Sequence, residues 1–162
     1  MFGRRPLLAS ILTLAALPWA AHASPGGAEE DRLIAISETI ALRPTQTLSP
    51  AQRTFKIVWE LEAEVNNGGF DQYFFNSSGR DAPRAVAALR TIGARKCAQI
   101  VAEAVHRFGR PDLDWADVIK RREALNTFED DTFDDLDARF LAYPDPLSAL
   151  LYKFVAAHPA DF

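Results

Sequence analysis

The apolar residues of this chain recur at helical spacing from one end of residues 29–158 to the other. Leu33, Ile36 and Ile40 lie three and four residues apart between Glu29 and Leu42, the interval that lines one side of an α-helix. Pro44 ends that segment. Ser49-Pro50-Ala51-Gln52 opens the next, with Ser49 as cap, Pro50 at the first helical position and Gln52 completing a capping box. From there to Asn66 the apolar face is Phe55, Val58, Trp59 and Val65, widened by Ile57 and Leu61. Asp81 and Pro83 open a helix bearing Val86, Leu89 and Ile92, closed by Gly93. Arg95 to Phe108 carries Cys97, Ile100, Val101, Ala104, Val105 and Phe108 on one face and ends at Gly109. Asp114 is expected to cap a helix bearing Trp115, Val118, Ile119, Leu125 and Phe128. Asp131 or Thr132 starts another with Phe133, Leu136, Phe140 and Tyr143, and Asp145-Pro146 starts the last with Leu147, Leu150, Leu151, Phe154 and Val155. No stretch alternates with the period of two that a strand requires. The pattern predicts an all-α protein: a single compact bundle of seven or eight short helices, without an internal repeat or second domain.

One stretch resists this pattern. Asn66-Asn67-Gly68-Gly69 reads as a helix stop, because Asn and Gly tolerate the positive φ that closes a helix. Phe70, Tyr73 and Phe74 follow at positions i, i+3 and i+4, one face of a short helix, with Phe75 beside it. Ser77-Ser78-Gly79 then breaks the chain again. Two readings of this stretch stand side by side. It is a core-anchoring helix between tight turns, or its polar residues Asn67, Gln72, Asn76 and Ser78 line a binding surface. Amides suit recognition by hydrogen bonds better than bond making.

Charge adds three features. Glu62 falls inside the apolar arc of its helix while Glu60 and Glu64 point outward. A carboxylate so placed must find donors or give up its charge, as a structural acid or as a general acid or base with a raised pKa. Glu129, Asp130, Asp131, Asp134, Asp135 and Asp137 put six carboxylates in nine positions, anchored by Phe133 and Leu136. That run reads as a dipole-complementing helix start and solvated face, as a negative surface for a basic partner, or as a weak divalent-cation site. Cys97 is the only cysteine, which excludes an intramolecular disulfide, and its apolar face predicts a buried, inert thiol.

At the N-terminus, Arg4 and Arg5 precede an apolar run from Leu7 to Ala20 and the small-x-small site Ala21-His22-Ala23. Residues 1–23 read as a signal peptide directing export, with the periplasm as destination. Residues 24–30 are expected as a flexible leader and 31–162 as one helical domain, with no membrane span after cleavage. Without Arg4 and Arg5 the chain has 16 basic against 22 acidic residues, a net charge of −6. That balance argues against direct nucleic-acid binding, which needs Lys and Arg for phosphates. No metal-ligand spacing, phosphate loop or nucleophile arrangement is visible, and no metal or cofactor is expected. His106 and His158 sit near helix ends, where a cation suits the dipole.

The strings Asn67-Gly68-Gly69-Phe70, Gln72-Tyr73-Phe74, Asn76-Ser77-Ser78-Gly79 and Ile92-Gly93-Ala94 resemble the NGGFxQYFxNSSG signature of the DNA-mimic protein C-terminal-domain family. The resemblance covers Leu33 to His158. It implies an all-α fold able to dimerise, without known enzymatic activity. In a DNA mimic, carboxylates stand for backbone phosphates and occupy a DNA-binding protein. Glu129 to Asp137 would be that surface here, although a signal peptide would carry the chain away from such targets. The sequence reading is therefore an exported, non-enzymatic domain that binds another protein. A DNA mimic using the acidic run is one alternative. A hydrolase using Glu62 or Glu64 beside Asn67 and Gln72 is another.

Overall fold

The computed structural model describes residues 27–110 and 112–162. The expected signal peptide and residues 24–26 lie outside the described residues. Seven α-helices are present among those described: α1 (Gly27–Ala41), α2 (Pro50–Phe75), α3 (Ala82–Ile92), α4 (Arg95–Phe108), α5 (Val118–Leu125), α6 (Asp134–Leu141) and α7 (Leu147–Ala157). No described residue is in a strand, and no described helix is long and apolar enough to cross a membrane. α1 begins at Gly27, inside the stretch read as leader.

The all-α bundle is built around α2, which packs against α1, α3, α5, α6 and α7. Its start is the expected capping box. The Gln52 N–H donates to Ser49 Oγ and the Ser49 N–H donates to Gln52 Oε1, each at 3.1 Å. Phe55, Val58, Leu61 and Val65 then bury the helix face. The helix expected to stop at Asn66 and the short aromatic helix after it form one element, bent where Gly68 and Gly69 leave helical geometry. Gly69 has φ +71° and ψ −171°, a region open to glycine and closed to other residues. Beyond the bend, Phe70, Tyr73 and Phe74 are all buried. Phe74 is the centre of the aromatic core, 4.9 Å from Phe108, 5.3 Å from Phe133 and 5.9 Å from Trp115 between ring centroids. Phe70 meets the edge of Phe140 at 5.8 Å. Removing one such buried ring costs about 3–5 kcal/mol, so α4 and α6 are held to α2 mainly here.

Several helix starts differ from expectation. α5 is capped by Asp117, which accepts from the N–H groups of Ile119 at 3.0 Å and Lys120 at 3.1 Å. Asp114, the expected cap, instead closes a turn onto the Ala116 N–H. Asp145 does not cap α7. Its Oδ2 accepts from Lys96 N–H at 2.7 Å and Cys97 N–H at 2.8 Å, and so caps α4 from a distant part of the chain. A short carboxylate satisfies whichever helix N-terminus lies beside it, and packing decides which that is.

A methyl group at Gly69 would lie 2.2 Å from Asp137 Oδ2. Gly69→Ala is expected to destabilise the fold by about 3 kcal/mol, read as a drop in the urea midpoint. A loss below about 0.5 kcal/mol, the range of an ordinary surface change, would show that the bend does not require glycine.

Candidate functional site

The polar residues of the central stretch converge on one carboxylate, and it is one the helical projection placed outward. Glu64 Oε2 accepts from Gln72 Nε2 at 2.7 Å and from Asn76 Nδ2 at 2.8 Å, while Oε1 accepts from Ser78 Oγ at 3.0 Å. Glu64 is half-buried as a result. The bend folds the second part of α2 so that positions 72, 76 and 78 return to the side of residue 64. Asn67, on the outside of the bend, is exposed and does not join this set. The neighbouring Asn66 donates to the Glu62 carbonyl at 2.7 Å and accepts from the Tyr143 hydroxyl at 2.8 Å.

The end of α2 is held by two residues the sequence reading passed over. Arg121 of α5 is buried. Its Nε donates to the Phe74 carbonyl at 2.7 Å, one terminal nitrogen to the Asn76 carbonyl at 2.6 Å, and the other to the Trp115 carbonyl. Burial lowers its pKa from the ordinary arginine value, yet arginine keeps its charge in any fold. Gly79 lies against it: an added Cβ would stand 2.5 Å from the Tyr73 carbonyl and 3.0 Å from Arg121 Nε. Arg122 donates to the Phe75 carbonyl at 2.9 Å and lies 3.9 Å over the Phe75 ring. An arginine in the polar sequence Lys120-Arg121-Arg122-Glu123 reads as solvated. Its neighbour Leu125, four residues on and buried, is the one local hint of an inward face.

The acidic run is divided by the fold. Glu129, Asp130, Asp131, Asp134 and Asp135 are exposed around the turn into α6. Asp135 is paired with Arg107 of α4, which also donates to the Thr132 carbonyl at 2.8 Å. Hydrogen bonding to Arg107 lowers the Asp135 pKa. Beside this pair, Arg139 of α6 forks onto Glu103 of α4. Asp137 turns inward instead. It accepts from the Phe70 N–H at 2.8 Å, capping the helix that restarts after the bend, and burial raises its pKa.

Glu62 is buried, as its position on the apolar arc required. Cys97 is buried as well, and burial pushes its thiol up to about 12. His106 is exposed at the end of α4, and His158 at the end of α7 bonds to the Phe154 carbonyl at 2.8 Å. Among the described residues, no group of three or more His, Cys, Asp or Glu is placed to hold a metal ion. The geometry of the bend is that of a braced joint: one carboxylate takes three neutral donors and one guanidinium takes three carbonyls.

Removing Glu64 leaves buried Ser78 and two amides without their acceptor, so Glu64→Ala is expected to cost about 2–3 kcal/mol. Gln72→Ala and Asn76→Ala should cost about 1 kcal/mol each. Denaturant unfolding measures all three, and equal small effects would mean that the cluster is solvated. Arg121→Ala strips the Phe74, Asn76 and Trp115 carbonyls of their donor, a loss of about 4 kcal/mol. Arg121→Lys should recover less than half of it, because an ammonium cannot present the guanidinium fork; full recovery would contradict the geometry.

Residues 46–158 match the family model described as DMP19-like protein. No curated protein and no solved structure matches the chain. The matched span contains the bend in α2, the Glu64 cluster, buried Arg121 and the acidic turn, and covers well over half of the sequence: the chain belongs to the DMP19-like protein family.

Proposed function

We propose that the protein works by binding a basic surface on another protein through the carboxylates of the turn between α5 and α6, as a DNA mimic does. The observation that carries this reading is the exposure of Glu129, Asp130, Asp131 and Asp134 together on a turn whose flanks are fixed. Phe133 and Leu136 are buried directly beneath them, and Phe128 packs on Phe108 and Phe133. Arg107 ties the same turn to α4 through the Thr132 carbonyl. Charges on a fixed turn need little ordering on binding, which favours both affinity and rate of encounter. Membership of a DNA-mimic family supports a protein as the partner.

The central motif supports the reading by what its side chains already do. Gln72, Asn76 and Ser78 donate to Glu64 rather than outward. Glu64 is thereby committed to three neighbours, and Glu62 is 6% exposed. A hydrolase built on either acid needs an accessible carboxyl, so the binding reading is the better supported. The signal-like residues 1–23 belong to the proposal too. Export by such a segment would put the proposed partner outside the cytoplasm, as a basic periplasmic protein.

Capture from a periplasmic extract tests this with the wild type and the triple variant Glu129→Lys, Asp131→Lys, Asp134→Lys. A partner held by the wild type should be released by salt and bound at least about tenfold more weakly by the variant. Addition of duplex DNA should displace the protein if the partner's surface is one that binds phosphates. Capture that survives the triple reversal would overturn the assignment of this face.

A further inference from the structure

Glu62 is a buried residue of α2, one turn before Asn66, where the corner that joins α6 to α7 meets that helix through Tyr143. Its Oε1 atom is fully buried and has no hydrogen-bond partner among the described residues. The titratable groups that face it are Cys97 of α4 and Tyr143 of the corner, with Asp145 next to Cys97. Each of these is neutral or negative, so none compensates a carboxylate charge. A polar chain connects the same place to the corner: Glu62 carbonyl to Asn66 amide, then Asn66 Oδ1 to the Tyr143 hydroxyl. Tyr143 itself holds φ +48°, the one positive value outside glycine among the described residues. A residue in that region stays there only while its contacts hold it.

We infer that Glu62 is a proton-operated latch: the neutral carboxyl lets the α6–α7 corner sit closed on α2, and loss of the proton loosens the corner and opens the way to Cys97. A carboxylic acid can be accommodated among apolar neighbours at small cost, whereas a carboxylate without donors cannot. Burial alone pushes Glu62 up from 4.5 to about 7. The direction of linkage follows. The closed form binds the proton more tightly than the open one, so its stability is full below about 4.5 and is lost as pH rises through about 7. This places the change in the range where an exported protein meets varying pH, and it is independent of what the acidic turn binds.

The intact chain carries its own probe, because Cys97 is the single cysteine, is buried, and donates its N–H to Asp145 of the same corner at 2.8 Å. Its labelling by a thiol reagent should be compared between the wild type and Glu62→Gln, which keeps the shape and cannot ionise. Taking the ratio of the two rates at each pH removes the thiol's own titration. That ratio should rise about tenfold between about pH 6 and about pH 8.5, and the wild-type melting temperature should fall relative to the variant over the same interval. A labelling ratio that stays constant with pH would overturn the latch, as would a melting-temperature difference independent of pH.

Discussion

A helix that turns back within the core must provide partners for the polar groups it exposes at the break. α2 leaves helical geometry at Gly68 and Gly69 and restarts at Phe70, so a helix start lies among buried aromatics, while Asn67 and Gly68 before it stay exposed. An unpaired buried amide or carbonyl costs about 1–3 kcal/mol, and a break of this kind presents several at once. The fold meets the demand from other elements. Asp137 of α6 takes the Phe70 N–H, and Arg121 of α5 takes carbonyls at the far end of the restarted segment. α5 and α6 are thus fixed to α2 by polar bonds as well as by the rings around Phe74.

This arrangement separates the chain's polar residues by task. Gln72, Asn76, Ser78 and Glu64 brace the bend. The outward acids lie elsewhere, on the turn before α6, and they are positioned by the same device. Asp137 anchors α6 from within, while Arg107 holds the turn from α4. The acidic face is therefore a rigid extension of the braced joint. Two arginines also stand at its edge, each paired to an acid. Such exposed pairs contribute little to stability and are screened by salt.

Glu62 follows a different logic. It is a carboxyl kept in the core with its Oε1 unpaired, on the same helix as the Tyr73 hydroxyl, which is also buried without a partner among the described residues. Its placement opposite Tyr143 joins a buried acid to the one described non-glycine residue of positive φ. A core position that prefers a neutral acid makes the closing of that corner responsive to pH, where an apolar residue of similar size would make it permanent.

The helices were legible in the sequence because their signals are local. Apolar spacing gave the bundle, the Ser49–Gln52 box gave the start of α2, and Gly93 and Gly109 closed α3 and α4. Glu62 could be placed inside by its angular position alone. The partners across the fold were not legible, since a side chain's reach depends on which elements meet. Glu64 pointed outward on a straight helix and is covered only because the bend brings residues 72 to 78 back over it. Asp145 and Asp137 read as the start of one helix and part of an acidic face, yet tertiary packing gave them the helix ends of α4 and of the restarted α2. Arg121 stands among charged neighbours, and only the meeting of α5 with the end of α2 made it the buried donor to three carbonyls. Periodicity fixes which face of a helix turns inward; what that face must bond to is decided by the helices it meets.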